Sequence, residues 1–492
     1  MRARFRLNQI LPAFVFVVLA ATCARAENES GIPITTSSER AREYYQQGLE
    51  MEDRLRAREA RFFYEKAVAE DSTFALAYMN LAYAQPTAWG FLEKLNRAVA
   101  LADSVSEGER LIILAAKAAY EGDPLRQRDY YQKLRELHPE DARVYNLLGT
   151  VCYGLQDYAE AIEYFQKAIA LRPDFSTPYN MLGYCYRALT KYEEAEQAFK
   201  KYVELIPDDP NPYDSYAELL MKMGKYALSI EYYQKALKID PMFGASHVGI
   251  ASNLNFMGRY AEAREQLQKY YHNAQDLVQQ REALAGLALS YLDEGKTDSA
   301  WAYINQRIEL ARKNNDLLAV SRDQAAIGRV FLKNGDYNQA LSQFADALEL
   351  IENSDLSAEV KDNSRRSFLV HEILVLAAKQ DFAAATARAD DYYRRIEAGG
   401  NPTFLRQAHE LRGIIALAQE KYDAAVTELL QASLENPYNL YRLAQAYAGA
   451  GDKVKARESC RKAAECNVSN DFYLSLIRKD AEQLLAELST GS

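Results

Sequence analysis

Histidine, tryptophan and cysteine are scarce: five His, two Trp and five Cys in 492 residues. His138, His247, His272, His371 and His409 fall into no metal-ligand spacing, and His371-Glu372 lacks the second histidine of HExxH. No CxxC occurs, so neither a redox pair nor a zinc knuckle is signalled. GxxxxGK[ST], GxSxG and GxGxxG are missing too, which removes the commonest phosphate, acyl-transfer and dinucleotide signatures. Excess positive charge is absent. A formal charge of −10 argues against a duplex nucleic-acid binder, whose affinity comes mostly from clustered Lys and Arg. Beyond residue 26 no apolar run approaches membrane-spanning length.

What is present begins with a distinct leader. "MRARFRLNQILPAFVFVVLAATCARA" has Arg2, Arg4 and Arg6, an apolar run from Ile10 to Ala21, and a small-x-small site at Ala24-Arg25-Ala26. This reads as a signal peptide cleaved after Ala26, so that an exported mature chain starts at Glu27 in the periplasm or outside the cell. Two other readings stand beside it: a lipid anchor on Cys23, giving a membrane-anchored lipoprotein, and an uncleaved anchor. Residues 27–40 follow as a polar leader, expected to be mobile.

The body of the chain repeats itself. "GTVCYGLQDYAEAIEYFQKAIALRP" (149–173) and "GYCYRALTKYEEAEQAFKKYVELIP" (183–207) lie 34 residues apart. With Gly149 and Gly183 at position 8 of a 34-residue unit, an aromatic stands at 4, Ala at 20, Phe at 24 and Pro at 32 in both. Positions 4, 7, 8 and 11 share one helical face, and 20, 24 and 27 share another. Small residues at 8 and 20 let two backbones approach. Pro at 32 ends the second helix. One hairpin cannot bury its own apolar face, so units must stack.

This pattern resembles the tetratricopeptide repeat (TPR). The resemblance is strongest over 141–241, thinner over 242–470 and thinnest over 54–108. It implies an all-α, right-handed superhelical solenoid of about 12 helix pairs over residues 41–470. The expected segments are divergent repeats at 41–140, regular repeats at 141–279, longer-period repeats at 280–470, and a capping helix with tail at 471–492. Most Tyr residues fall where the repeat packs rings, so a stacking platform is not needed to explain them. Cys152 and Cys185 occupy neighbouring first helices; they read either as small core residues or as a bridge, which requires Cα atoms within about 7 Å. Cys460 and Cys466 leave the same two readings open.

In TPR arrays the first helix of each pair (helix A) lines a concave groove. The resemblance therefore implies a partner surface on Arg143, Asn146, Tyr153, Asn180, Tyr184, Arg187, Asn211, Asp214, Glu218 and Lys222, with these side chains facing outward from the packed layer. Asn146 and Asn180 repeat one position, where a side-chain amide both donates and accepts. The expected work is non-enzymatic: a cell-envelope scaffold that holds a protein or peptide partner, with no cofactor, metal or nucleic acid. Glycan or wall binding, and a regulatory subunit of an enzyme complex, are the alternatives.

Overall fold

A computed structural model of the chain describes residues 31–54, 56–85, 87–397, 399–467 and 477–490. The signal-peptide reading and Cys23 lie outside the described residues. Among the described residues twelve helix pairs follow one another. Units 1 to 4 are Glu39–Asp53 with Ala57–Glu70, Ala75–Tyr83 with Ala88–Leu101, Glu107–Tyr120 with Pro124–Leu137, and Ala142–Gly154 with Tyr158–Leu171. Units 5 to 8 are Ser176–Ala188 with Tyr192–Leu205, Pro210–Lys222 with Tyr226–Ile239, Gly244–Phe256 with Tyr260–Asn273, and Leu277–Glu294 with Thr297–Lys313. Units 9 to 12 are Leu317–Lys333 with Tyr337–Glu352, Ala358–Ala378 with Phe382–Glu397, Pro402–Ala418 with Tyr422–Leu429, and Pro437–Gly449 with Lys453–Ala464. A terminal helix, Ile477–Thr490, packs on unit 12. The fold is an all-α repeat solenoid. The stretched period after residue 280 comes from longer helices: 21 residues in unit 10's helix A against 13 in unit 4's.

Several units are locked by a small residue against a large one 16 positions later. A Cβ added at Gly149 or Gly183 would stand 2.6 and 2.5 Å from the rings of Phe165 and Phe199. Gly48 meets Tyr64 in the same way, and Gly328 meets Phe344. Unit 10 inverts the pair. Ile373 takes the small position and Ala389 the large one, and both are buried, so volume is kept while order is reversed.

The array winds back on itself. The last carbonyls of a helix have no partner inside it. Here several helix A ends receive donors from units much later in the chain. Asp53 O accepts from Ser176 Oγ at 3.2 Å and Thr177 Oγ1 at 3.0 Å. Gly122 O accepts from Asn401 Nδ2 at 3.1 Å, and Leu155 O from Arg406 Nη2 at 3.1 Å. Met221 O accepts from Asn467 Nδ2 at 3.0 Å. The A–B turns of one superhelical turn thus sit on the starts of helices A in the next. The first turn of the terminal helix continues this edge: Arg478 lies 4.1 Å from the Phe256 ring, and Asp480 pairs with Lys333.

Residues 31–38 correct the expectation of a mobile leader. They run extended along the first units, with alternate residues Ile32, Ile34 and Thr36 turned inward. Ile32 and Ile34 pack on the N-terminal core. Arg42 donates to the carbonyls of Ile34 and Thr36, at 3.0 and 3.2 Å. Composition suggested looseness, but apolar side chains at period two and buried acceptors fix the segment.

Candidate partner-binding site

The ten residues expected to line an open groove divide into two groups. Arg143, Asn146, Asn180, Asn211 and Asp214 are engaged in packing. Arg143 holds the Asp53 carboxylate from the first unit. Asn180 is only 4% exposed, which overturns its outward orientation; its Oδ1, like that of half-buried Asn146, meets no donor among the described residues. Asn211 Oδ1 accepts from Tyr202 OH at 3.1 Å. Asp214 is 4% exposed and accepts from Ser246 Oγ at 2.6 Å.

The cause is lateral. Adjacent helices A stand close enough that side chains meet the next unit before they reach the lumen. Tyr184 OH donates to Ser215 Oγ at 3.2 Å, and Arg187 Nη1 donates to Glu218 Oε2 at 2.9 Å, each one unit ahead. The Arg187 guanidinium also lies 4.5 Å from the Tyr184 ring centre. Burial, followed by the charge of Glu218, holds the Asp214 carboxyl well above the usual carboxylate range. Burial works against the Arg187 charge, yet Glu218 and Tyr184 outweigh it and its pKa is raised. Burial thus favours the neutral form of Asp214, while the Glu218 carboxylate faces the Arg187 guanidinium.

The second group opens onto a cavity. Tyr153, Tyr184, Arg187, Glu218 and Lys222 line a space of about 1210 Å³. Its opposite wall comes from the next superhelical turn: Glu435, Leu440, Lys462, Cys466 and Arg478. Rings, thioethers and both charge signs converge there, the mixture that anchors protein segments. The second wall has no sequence signal. It is built by residues some 240–280 positions away, such as Asn467 on Tyr226 and Ser433 on Gln156, and many of the joining groups are backbone carbonyls. A smaller space of about 660 Å³ lies over units 7 to 9, floored by Val248, Ala285 and Leu289 and rimmed by Arg281 and Arg322.

His371 and three of the cysteines lie in the packed interior. His371 is buried, stacked 4.0 Å from Phe344, and burial followed by the nearby Arg329 charge pushes its pKa down to about 3. Cys152, Cys185 and Cys460 are buried free thiols, so the core reading holds for them, while Cys466 is a half-buried free thiol on the cavity wall; no bridge joins cysteines among the described residues.

Tetratricopeptide repeat profiles match residues 142–175, 164–197, 210–243 and 410–469. No curated protein sequence matches the chain. Similar solved structures include YrrB, described as a TPR protein with an unusual peptide-binding site, at 20% identity and a TM-score of 0.27, over 37% of this chain and 91% of that one. A tetratricopeptide repeat protein from Parabacteroides merdae matches at 16% identity and a TM-score of 0.37, over 54% and 99%. MamA from Desulfovibrio magneticus RS-1 matches at 19% identity and a TM-score of 0.30, over 34% and 93%. With these segments matched and their helix pairs packed small against large, the chain carries tetratricopeptide repeats at residues 142–197, 210–243 and 410–469.

Proposed function

We propose that this protein is a non-enzymatic interaction scaffold that holds a peptide segment of its partner between two superhelical turns. The observation that carries the reading is the cavity of about 1210 Å³, because five residues marked by the repeat pattern converge there with a second wall. A preformed space of this size suits a few side chains of an extended segment, and holding it ready lowers the ordering cost of binding. No bond chemistry is required of the site. The scaffold belongs to the cell envelope in this reading, exported by residues 1–26 with a mature start at Glu27, or held by a lipid on Cys23. N-terminal sequencing of the mature chain distinguishes these, and a blocked Cys23 would move the protein to a membrane leaflet.

The test uses a partner purified with the protein and measures its affinity by calorimetry. Tyr153→Ala with Lys222→Glu, both on the cavity wall, should weaken binding by at least tenfold, within the range of hot-spot truncations. Lys167→Glu, exposed on a B helix, should leave it unchanged. Equal affinity for the cavity variant, with loss in the Lys167 variant, would place the partner on the outer face instead.

A further inference from the structure

The two edges of the superhelix are treated differently at its two ends. Within the molecule, A–B turns of one turn dock on the starts of helices A in the next. Among the described residues no preceding turn covers the starts of units 2, 3 and 4, and the strap at residues 31–38 lies there instead. It supplies donors to three acidic side chains. Thr36 Oγ1 donates to Asp71 Oδ2 at 2.5 Å. Thr35 N donates to Glu109 Oε1 at 2.8 Å, and Thr35 Oγ1 also donates to Glu109. Ile32 N donates to Asp141 Oδ2 at 3.3 Å. Glu109 is fully buried beneath the strap.

At the other end, the first turn of the terminal helix meets units 7 and 9. The A–B turns of units 10 and 11 come next along the edge and make no cross-turn contact among the described residues. Both present an exposed lysine, Lys379 and Lys421. Three existing cross-turn ion pairs have this polarity, cation on the A–B turn or helix A end and acid on the following layer: Arg54 with Asp208, Arg56 with Asp209, and Lys333 with Asp480. Asp53 with Arg143 and Arg172 runs the other way.

We propose that the strap is an end cap against self-association: it covers the edge onto which the last units of a second copy of this chain would otherwise dock, head to tail. The docking surface is the continuation of the turn-to-turn interface already built inside the molecule. Lysines from units 10 and 11 of one copy meet the acidic row Asp71, Glu109 and Asp141 of the next. Such an interface is heterologous and does not close, so release of the strap gives chains of copies rather than a fixed dimer.

The experiment is sedimentation velocity on the purified full chain at rising concentration, with hydrogen exchange at the Ile32 and Thr35 amides. The unaltered protein should keep one size, with both amides protected. Thr35→Asp with Thr36→Asp places two carboxylates against Asp71 and Glu109. It should expose the amides and raise the mean mass on the order of twofold or more with concentration. Adding Lys379→Glu and Lys421→Glu should return it to the single species. If circular dichroism shows that the double aspartate variant has lost helix, Arg42→Ala serves in its place, since it removes the donors to Ile34 and Thr36 while leaving every acid intact. Exposed amides without growth in mass would overturn the proposal. So would amides that stay protected in the aspartate variant, growth that survives the lysine changes, or an unaltered protein that already forms the long assemblies.

Discussion

Arg143 grips Asp53 with both terminal nitrogens, at 2.8 and 2.7 Å, across 90 residues of sequence. Arg172 reaches the same carboxylate at 3.3 Å. Burial, followed by the like charge of Arg143, lowers the pKa of Arg172. Asp53 therefore separates two guanidinium groups as well as joining units 1, 4 and 5. Asp53→Ala should cost more than Arg143→Ala, because it leaves two cations facing each other. Arg143→Ala should cost about 1–3 kcal/mol. In urea unfolding the double variant should lose less than the sum of the single ones. Additive losses would show that the pair is not coupled.

The small-to-large lock gives a prediction inside one unit. Gly183→Leu should disrupt folding, because Phe199 already occupies the space of the first added carbon. Unit 10 offers the reciprocal test. Ala389→Phe alone should destabilise by roughly 1–3 kcal/mol through overpacking against Ile373. Adding Ile373→Gly should recover most of that, since it restores the order used in unit 5. Thermal melts decide it, and a double variant less stable than Ala389→Phe alone would contradict the inversion.

How much was legible in the sequence follows from these contacts. Gly183 and Phe199 lie 16 residues apart on a helical pattern, so their meeting could be read from spacing, and with it the twelve pairs. Gly122 and Asn401 lie 279 residues apart, and the acceptor is a backbone carbonyl, which carries no residue signature. The closure of the superhelix was therefore invisible, and with it the second wall of the cavity. The burial of Asn180 and Asp214 was missed for a different reason. A position on a helix face says which way a side chain leaves, not how near the neighbouring helix stands.

Thr190 ends unit 5's helix A with φ of 58°, where Gly224, Gly258 and Gly295 serve in other units. A β-branched side chain in the left-handed region costs roughly 1–2 kcal/mol. Thr190→Gly should raise stability by about 1 kcal/mol, after the greater freedom of glycine in the unfolded chain is set against the relief of strain. A lower urea midpoint would mean that the threonine makes compensating contacts.

His371 predicts a pH dependence. Its pKa is about 3 when folded, because burial against Phe344 disfavours the charged ring. The unfolded ring titrates near 6.5, so the unfolded state takes up the proton first as pH falls. The stability associated with the neutral ring is complete above about pH 6.5 and is lost progressively towards pH 3. At pH 5 the loss is about 2 kcal/mol. His371→Phe keeps the stack and should flatten the melting temperature between pH 7 and 5. An unchanged slope would show that the ring does not set it.

Site-specific photo-crosslinking reads most directly whether the partner sits between the turns. A benzoylphenylalanine replaces Tyr153 on one wall of the cavity or Leu434 on the other, and Glu163 or Lys167 on the exposed face of a B helix. With the purified partner bound, both cavity positions should crosslink to one short stretch of the partner, and the B-helix positions should give no adduct. Adducts from Glu163 or Lys167, with none from Tyr153 and Leu434, would contradict binding between the turns.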